Sequence, residues 1–335
     1  TLEINIGKKE KRQMKVLVAG GAGFIGSNLI DLLLEKGHEV VCVDNYFIGT
    51  KKNIEHLLSV PQFHMYEQDI CDMEALKKIF EKEKVEYVFH LAANSDIQAS
   101  AQNPIVEYNN TYTTTFNLLE CMRLYGVKKM FFASTSAVYG EKTDELLTET
   151  TADLRPVSYY GASKLGSEAL ISAFSHMNDM EVLIFRFPNV IGPRLTHGVI
   201  FDFIKKLKKD NSNLEILGDG TQCKPYIFVT DLVQAIVRFM ETNTKGITLY
   251  NLGVEGATTV TKIADIICEK MGLTKVNYNY TGGNIGWKGD VPRFQYDLSK
   301  IYATGWRASC NSDEAVAKTV EIVLSRDKDE NICKQ

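Results

Sequence analysis

The stretch VAGGAGFIG, residues 18–26, decides the fold of this chain. It places Gly20, Gly23 and Gly26 in the spacing G-x-x-G-x-x-G after the apolar run KVLVA, and the helical pattern that follows ends at Gly37. Glycine removes side chains where the backbone must turn tightly and approach a pyrophosphate, which then lies at the positive N-terminus of the following helix. The stretch therefore predicts a strand, a glycine turn and a helix that bind a dinucleotide.

A second apolar run, EVVCV, ends directly before Asp44, eighteen residues after Gly26. An acidic side chain at that distance is expected to meet the hydroxyl groups of the adenosine ribose. The next residue is Asn45, so no arginine is at hand to neutralise a 2′-phosphate. The pattern therefore favours NAD over NADP as the cofactor.

Further strand-like runs follow, and segments of helical length separate most of them. They are FHMY at 63–66, VEYVFHL at 85–91, KMFFA at 129–133 and EVLIFR at 181–186. This alternation predicts an α/β protein with a Rossmann-type, doubly wound parallel sheet that helices cover on both faces.

The alternation of strand-like and helical segments ends at about Pro188, where glycines and turns become frequent. We therefore expect a smaller, discontinuous C-terminal α/β domain beside the Rossmann domain. The expected division is an N-terminal extension at 1–13, the NAD-binding domain at 14–187 with 226–252 returning to it, and the second domain at 188–225 and 253–335.

The composition argues against several classes of function. The 335 residues carry a net charge of −4 and lack the lysine and arginine cluster that binds nucleic acid. Seven scattered cysteines show no C-x-x-C spacing and six histidines form no H-x-x-H or H-E-x-x-H pattern, so no disulfide framework and no metal site are expected. No apolar run approaches the ~18 residues of a membrane span, and the polar opening TLEINIGKKEKRQ does not resemble a signal peptide. We therefore expect a cytoplasmic protein.

The motif SYYGASK places Tyr160 four residues before Lys164, so both side chains share one face of a helix. Ser134, Thr135 and Ser136 follow another predicted strand, at the edge where open α/β sheets bind ligands. A free phenol with a pKa of ~10 is a poor base at neutral pH, but an adjacent ammonium group and a positively charged nicotinamide both favour its ionised form. The arrangement predicts that Tyr160 takes a proton from a hydroxyl group as hydride leaves the same carbon for NAD.

Further motifs occur in order along the chain: QDICD, HLAAN, NNTYTTTFNLLE, STSAVYG, RFPNVIGP, GDGTQCKPYIFVTD and GDVPRFQYDLSK. Together with GGAGFIG and YYGASK, they resemble the extended short-chain dehydrogenase/reductase superfamily, and within it the nucleotide-sugar epimerases and dehydratases. The resemblance is closest to the UDP-glucose 4-epimerase type and covers the chain from Met14 to about Leu324. It implies that the second domain binds the nucleotide sugar.

The resemblance also implies a catalytic group and two binding sets. Thr135 would hydrogen-bond the reacting sugar oxygen, Tyr160 would be the acid/base, and Lys164 would bind the nicotinamide ribose and lower the pKa of the phenol. The implied cofactor-binding residues are Gly20, Gly23, Phe24, Ile25, Gly26, Asp44, Asn45, Asp69, Ile70, Leu91, Ala92, Ala93, Asn110, Tyr160, Lys164 and Phe187. The implied substrate-binding residues are Asn94, Ser134, Thr135, Ser136, Asn189, Val199, Lys224 and Lys288.

Some of these assignments are specific. Asp69 and Ile70 match positions that flank the adenine, and Asn110 matches an asparagine that supports the surroundings of the catalytic lysine. Asn189 matches an asparagine that contacts the substrate, and Lys224 stands where a basic residue meets the nucleotide diphosphate.

The position after the catalytic threonine bears on the reaction type. Dehydratases of the superfamily carry an acidic pair there, whereas this chain has Ser136 and Ala137, so dehydration is disfavoured. A 4-epimerase of the UDP-glucose/UDP-galactose type is the leading hypothesis. The alternatives are a nucleotide-sugar ketoreductase or dehydrogenase, an epimerase acting at another carbon, and a non-catalytic scaffold that senses the dinucleotide. The sequence leaves the sugar and the nucleobase open.

The predicted helix after SYYGASK carries an apolar stripe. Relatives of this kind commonly pair through the helix that carries the tyrosine and its neighbour, so the resemblance implies a homodimer. The stripe consists of Leu165, Ala169, Leu170 and Phe174.

Overall fold

The computed structural model describes residues 12–94, 97–142, 145–242, 245–283, 286 and 289–332. The strands in this part of the chain are β1 (Lys15–Ala19), β2 (Glu39–Asp44), β3 (Phe63–Glu67), β4 (Tyr87–His90), β5 (Lys129–Thr135), β6 (Leu146–Leu147), β7 (Glu181–Phe187), β8 (Asn189–Ile191), β9 (Asn213–Ile216), β10 (Cys223–Lys224), β11 (Tyr226–Phe228), β12 (Ile247–Asn251), β13 (Thr258–Thr259), β14 (Asn277–Tyr280) and β15 (Gln295–Tyr296). The α-helices are α1 (Phe24–Glu35), α2 (Met73–Glu83), α3 (Ile97–Gln102), α4 (Pro104–Glu107), α5 (Thr114–Tyr125), α6 (Tyr159–Asn178), α7 (Val199–Lys209), α8 (Val229–Met240), α9 (Val260–Met271), α10 (Ser299–Tyr302) and α11 (Ser312–Ile332). A π-helical turn lies at Tyr108–Thr113, and 3₁₀ turns lie at Lys51–Asn53, Glu55–Leu57 and Ser136–Tyr139. None of these helices is long and apolar enough to cross a membrane.

The largest sheet in the described residues contains seven parallel strands in the order β12-β7-β5-β4-β1-β2-β3. The chain builds β1, β2 and β3 in one direction and then crosses back to place β4 on the other side of β1. This reversal opens a crevice at the carboxyl ends of β1 and β4, where ligands bind in sheets of this kind. The prediction of an α/β protein with a doubly wound parallel sheet is confirmed.

Helices cover both faces of this sheet because successive strand residues point to opposite faces. Val16 and Val18 of β1 belong to a core that α1 and α8 cover, whereas Leu17 and Ala19 belong to a core that α2, α5 and α6 cover. All four side chains are fully buried. Since burial of an aliphatic side chain as large as valine or leucine stabilises a protein by roughly 1.5–3 kcal/mol, the apolar strand pattern fixes a sheet that is covered on both faces.

A third core lies outside the large sheet. The helices α7, α9 and α11 form it together with the parallel pair β9 and β14. Between the segments that build this core, the chain returns to the large sheet, where β12 extends the edge beside β7 and α8 packs next to α1. Only one residue separates β7, in the large sheet, from β8. The chain therefore passes directly from the carboxyl edge of the large sheet to the third core, and both border the same crevice.

Candidate active site

The glycine turn brings three pieces of backbone into close contact. Gly20 has a φ of +80°, and a Cβ atom added there would lie 2.7 Å from the backbone nitrogen of Ala92. A Cβ on Gly26 would lie 2.2 Å from the carbonyl oxygen of Gly20. Gly23 is the N-cap residue of α1 and offers no side chain to the first N–H groups of that helix. These N–H groups and the missing side chains fit a pyrophosphate at the helix N-terminus.

The Asp44 carboxylate is held beside the glycine turn. Its Oδ2 atom accepts a hydrogen bond of 2.9 Å from the backbone N–H of Ala22, and its Oδ1 atom accepts one of 2.7 Å from that of Tyr46. Burial raises the pKa of this carboxyl group, and the two N–H donors oppose that shift. Each carboxylate oxygen can accept a further hydrogen bond, so the arrangement fits the hydroxyl groups of an adenosine ribose. The neighbouring Asn45 accepts a hydrogen bond from the N–H of Phe47 with its own side chain.

The loop after β3 carries the two residues expected at the adenine. Asp69 accepts a hydrogen bond of 2.8 Å from the backbone N–H of Cys71. Ile70 is buried in the core under α2 and α5, and its carbonyl oxygen accepts a hydrogen bond of 2.9 Å from the Asn117 amide. The loop is therefore fixed by polar contacts at the same edge of the sheet as Asp44.

Thr135, Tyr160 and Lys164 lie together at the carboxyl end of β5. The Ser158 hydroxyl caps α6 by accepting a hydrogen bond from the N–H of Gly161, which places Tyr160 in the first turn. The Thr135 hydroxyl acts on the Tyr160 phenol and lowers its pKa. Lys164, one turn later, has only 2% of its surface exposed, and its Nζ lies 6.0 Å from the centre of the Tyr160 ring.

The Lys164 ammonium group is held by β5 as well as by its own helix. Its Nζ donates a hydrogen bond of 2.8 Å to the carbonyl oxygen of Ala133 and lies 4.8 Å from the centre of the Phe132 ring. Burial lowers the pKa of Lys164 to about 8, although negative charge on Glu107 and Glu168 opposes the shift. The lysine is therefore anchored next to the phenol with an unusually weak hold on its proton.

The Tyr160 phenol is not yet a good base in this structure. Burial raises its pKa, the charge on Glu107 raises it further, and only the hydrogen bond from Thr135 lowers it. The sequence pattern predicts a lowered pKa of the phenol from the Lys164 ammonium group and a positively charged nicotinamide together. Desolvation of the ionised form outweighs that effect here, so the phenol needs a further positive charge beside it.

Two residues expected at the substrate are instead bonded to buried carboxylates. Ser134 is fully buried, and its hydroxyl lies 2.5 Å from Oε1 of Glu168. Asn94 is also buried, and its amide donates a hydrogen bond of 2.8 Å to Glu107. The pleat of β5 explains the first case, because Ser134 and Thr135 point to opposite faces of the sheet. The Ser134 side chain therefore lies on the opposite face of β5 from that of Thr135.

The π-helical turn alters the expected position of the polar residue near the lysine. Asn110 is partly exposed, and its carbonyl oxygen accepts a hydrogen bond of 3.0 Å from the Thr114 hydroxyl. The next residue, Thr111, is fully buried and donates a hydrogen bond of 2.9 Å to Glu107. Thr111 rather than Asn110 therefore joins the polar network around Lys164.

The residues expected at the nucleotide lie on the side of the third core. Asn189 opens β8, is exposed, and pairs in register with Tyr226 of β11, where it lowers the pKa of the Tyr226 phenol. Val199 opens α7. The Lys224 ammonium group forms an ion pair with Asp290, and both side chains are largely buried. A diphosphate that approached Lys224 would therefore compete with a carboxylate.

The other expected contacts line the crevice or lie beyond the described residues. Ser136 begins the 3₁₀ turn after Thr135, and Phe187 ends β7. Lys288 lies outside the described residues. The partly buried residues around the glycine turn and the end of β4 are Phe24, Ile25, Leu91, Ala92 and Ala93.

Sequence reasoning missed four charged residues of the site. Glu168 had a usable signal, since it follows Lys164 by four positions on the same helix. Arg186 is the next-to-last residue of β7, but no local pattern marks it as the partner of Glu168. Glu107 and Asp290 also lie far in sequence from Asn94 and Lys224, the residues that they contact in the fold, so no local pattern indicates them.

One group in the described residues has the composition of a metal site, namely Glu39, His64 and Glu83. It lies at the start of β2 and β3 and the end of α2, at the opposite end of the sheet from the glycine turn. The Lys15 ammonium group lies 2.5 Å from Glu39 and 3.1 Å from Glu83. The positive charge among these carboxylates is therefore supplied by a lysine.

The model of the NAD dependent epimerase/dehydratase family matches residues 16–253. The chain belongs to this family, and it is an enzyme that uses NAD. It is 34% identical over 313 residues to a protein named putative UDP-glucose 4-epimerase from Methanocaldococcus jannaschii, with 91% of this chain and 97% of that protein covered. These findings confirm the resemblance that the motifs indicated.

Solved structures of similar proteins agree with this assignment. UDP-glucose 4-epimerase from Thermotoga maritima, solved with UDP-glucose, is 32% identical with a TM-score of 0.84, covering 93% of this chain and 99% of that one. UDP-glucuronic acid 4-epimerase from Bacillus cereus, solved with UDP-glucuronic acid and NAD, is 27% identical with a TM-score of 0.83, again covering 93% and 99%. Both proteins share the fold of this chain over nearly its whole length.

Proposed function

We propose that this protein is a nucleotide-sugar 4-epimerase that interconverts UDP-glucose and UDP-galactose. The observation that carries the proposal is the cluster of Thr135, Tyr160 and Lys164 at the carboxyl end of β5, next to a glycine turn that fits a dinucleotide. The names of the relatives from M. jannaschii and T. maritima support this substrate pair.

The residues of the cluster have distinct roles in this reaction. Thr135 holds the sugar hydroxyl that reacts, and Tyr160 takes its proton and later returns it. Lys164 binds the nicotinamide ribose and contributes positive charge beside the phenol. The chemistry that NAD supplies when bound is the acceptance of hydride from the sugar carbon and its return to the opposite face, and its cationic ring adds the charge that the phenol lacks.

The turn after Thr135 supports epimerisation over dehydration. Elimination of water from a sugar needs an acid and a base in addition to the oxidising group. Ser136 and Ala137 begin the 3₁₀ turn at this point, and the N–H of Ala137 donates a hydrogen bond of 3.2 Å to the Thr135 hydroxyl. Neither side chain has a carboxyl group, so the turn positions Thr135 and does not offer a second acid/base pair.

A direct assay separates the proposed reaction from the alternatives. The protein purified with its NAD still bound should convert UDP-glucose to UDP-galactose without further cofactor, because a 4-epimerase regenerates its NAD in every cycle. Sugar-nucleotide chromatography and absorbance at 340 nm would follow the products and NADH together. NADH formed in proportion to the sugar consumed would instead indicate a dehydrogenase. Turnover of UDP-glucuronic acid but not UDP-glucose would move the substrate assignment to the type solved from B. cereus.

We also propose that residues 188–225 and 253–335 hold the nucleotide sugar, while 14–187 and 226–252 hold NAD. The third core, which lies outside the large sheet, supports this division. The ion pair of Lys224 with Asp290 joins the two segments of the proposed substrate-binding part.

A homodimer formed through α5 and α6 is a further part of the proposal. Exposed apolar side chains cluster on this side of the molecule, among them Tyr108, Phe116 and Tyr159, with 55%, 42% and 51% of their surfaces exposed. A hollow of about 310 Å³ between Pro104 and α6 adds to this surface. A second copy presenting the same two helices would bury these side chains in an interface of the isologous kind.

Charge placed on this surface should separate the subunits. A Phe116→Glu variant is expected to elute and sediment as a monomer, because a carboxylate would be buried without a partner at the contact. Sedimentation velocity of the wild type and the variant measures the effect. Leu58→Glu is the matched control, since Leu58 is similarly exposed but lies in the segment before β3. A wild-type protein that sediments as a monomer would contradict the proposed dimer.

A further inference from the structure

Buried negative charges surround the catalytic lysine. Glu168 lies one turn after Lys164 on α6, and Glu107 lies at the end of α4. Glu107 is fully buried and Glu168 is 8% exposed. The reaction derived above uses neither carboxylate directly. Since a buried carboxylate is costly unless it is paired and hydrogen-bonded, the partners of each of these two groups bear on their role.

Glu168 is fixed on three sides. The Nε and Nη2 atoms of Arg186 donate hydrogen bonds of 3.0 and 2.6 Å to its two oxygens, in the planar two-bond arrangement that gives strong and specific pairs. Ser134 on β5 provides the third contact. The Arg186 guanidinium group in turn lies 4.8 Å from the centre of the Tyr139 ring. This network ties α6 to the ends of β5 and β7, one residue away from Thr135.

Glu107 is held by hydrogen bonds from two other segments around the crevice. Its oxygens accept hydrogen bonds from the Asn94 amide after β4 and from the Thr111 hydroxyl in the π-helical turn. The backbone N–H of Asn94 also donates a bond of 3.3 Å to the Thr111 hydroxyl. Burial raises the pKa of Glu107, whereas these hydrogen bonds and the charge of Lys164 lower it.

We propose that Glu107 and Glu168 are positioning residues that keep Lys164 in its charged form inside the closed site. Among the described residues, the ammonium group has one hydrogen-bond acceptor, the Ala133 carbonyl oxygen, and the lysine is 2% exposed to solvent. A buried lysine without negative neighbours loses its proton readily. The two carboxylates supply the negative potential that water supplies to an exposed lysine.

The groups that face Lys164 from each packed element agree with this role. Glu107 and Glu168 raise the pKa of the lysine against the effect of burial, which leaves it at about 8. Tyr160 lies on the same helix. His90 on β4 is held neutral, because burial and the charge of Lys164 keep its pKa well below the ordinary value. Among the described residues that act on the lysine, the carboxylates are therefore the source of stabilising charge. Glu107 raises the pKa of the Tyr160 phenol as well.

The test measures the titration of Lys164 directly. Carbon-13 at the Cε of lysine reports the charge of each ammonium group by NMR, and comparison with Lys164→Met assigns the signal in the full chain. Loss of a neighbouring negative charge makes the ammonium form less stable, so Glu168→Gln and Glu107→Gln should each move the midpoint to lower pH by about one unit or more. Tyr139→Phe is the control, because it touches Arg186 without carrying charge and should leave the midpoint unchanged. Midpoints that stay at the wild-type value in both glutamine variants would overturn the proposal.

Glu107→Gln keeps the test valid if Glu168→Gln fails to fold. Glu168→Gln leaves Arg186 buried without its partner, which is strongly destabilising. The Asn94 amide and the Thr111 hydroxyl that donate to Glu107 are neutral, so Glu107→Gln removes one negative charge without breaking a buried ion pair. An unchanged Lys164 midpoint in a folded Glu107→Gln variant would then overturn the proposal.

The inference rests on the proposed function only for the role of Lys164 in turnover. If the protein epimerises UDP-glucose, the alkaline limb of the pH profile of kcat/KM should move to lower pH in both variants, in step with the NMR midpoint. NMR midpoints that shift in a protein without turnover would contradict the proposed substrate and uphold the charge assignment. Turnover of UDP-glucose with unshifted NMR midpoints would support the proposed substrate and overturn the charge assignment.

Discussion

A Tyr160→Phe variant is expected to turn over UDP-glucose roughly 10²–10⁴-fold more slowly than the wild type, as is usual when a general acid/base is removed. The variant loses the hydroxyl group whose pKa Thr135 lowers, on a ring whose centre lies 6.0 Å from the Lys164 Nζ. The phenyl ring keeps its packing, so the site keeps its shape and NAD is expected to stay bound. The initial rate of UDP-galactose formation and the amount of NAD released on denaturation measure the two effects.

Tyr159 provides a control within the same motif. It precedes Tyr160, has half of its surface exposed and lies on the proposed dimer surface. Tyr159→Phe keeps most of that apolar contact and should leave the turnover rate within about threefold of the wild type. If both variants were equally active, Tyr160 would not be the acid/base. If Tyr160→Phe lost NAD together with activity, the loss would not report on proton transfer.

A Gly26→Ala variant is expected to bind NAD roughly ten- to a hundredfold more weakly. The new methyl group would lie 2.2 Å from the Gly20 carbonyl oxygen and 2.8 Å from the Gly21 Cα, so backbone must move. Overpacking of this kind costs about 1–3 kcal/mol, and each 1.4 kcal/mol corresponds to about a tenfold change in affinity. The displaced backbone belongs to the turn that fits the pyrophosphate, so binding should suffer directly. Calorimetric titration of NAD into stripped protein gives the dissociation constant.

Gly37 is the matched control for this substitution. It also lies next to α1, has a φ of +85°, and has no atom within 4 Å of an added Cβ. Gly37→Ala should lower the free energy of unfolding by about 1–2 kcal/mol, the cost of a left-handed conformation for a residue with a side chain. Its NAD affinity should equal that of the wild type. Equal NAD affinities for Gly26→Ala and Gly37→Ala would show that the turn does not hold the cofactor.

The sequence was sufficient to predict the elements that depend on local patterns. The run KVLVA became β1 at residues 15–19, and the glycine turn led into α1 at Phe24. Asp44 ends β2 with its carboxylate at the turn, as its spacing indicated. These features follow from neighbouring residues, whose periodicity and glycine content are visible in the chain itself.

The contacts that the sequence could not supply depend on residues far apart in the chain. Ser134 was expected at the substrate, but its hydroxyl is bonded to Glu168, 34 residues later. Lys224 was expected at the diphosphate, and its ion-pair partner Asp290 follows 66 residues later. Pairings of this kind arise from the packing of whole helices and strands, and no spacing rule reveals them.

The π-helical turn at Tyr108–Thr113 has a consequence for how this site can vary. Such a turn holds one more residue than an α-helical turn. The extra residue rotates the residues before the turn by about 100° around the helix axis relative to those after it. Glu107 directly precedes the turn, so the number of residues in the turn sets the helix face on which Glu107 lies, and the Thr111 hydroxyl then holds its carboxylate. A single exchange in this segment can remove that hydrogen bond, whereas the gain or loss of a residue would move Glu107 to another face of the helix in one discrete step.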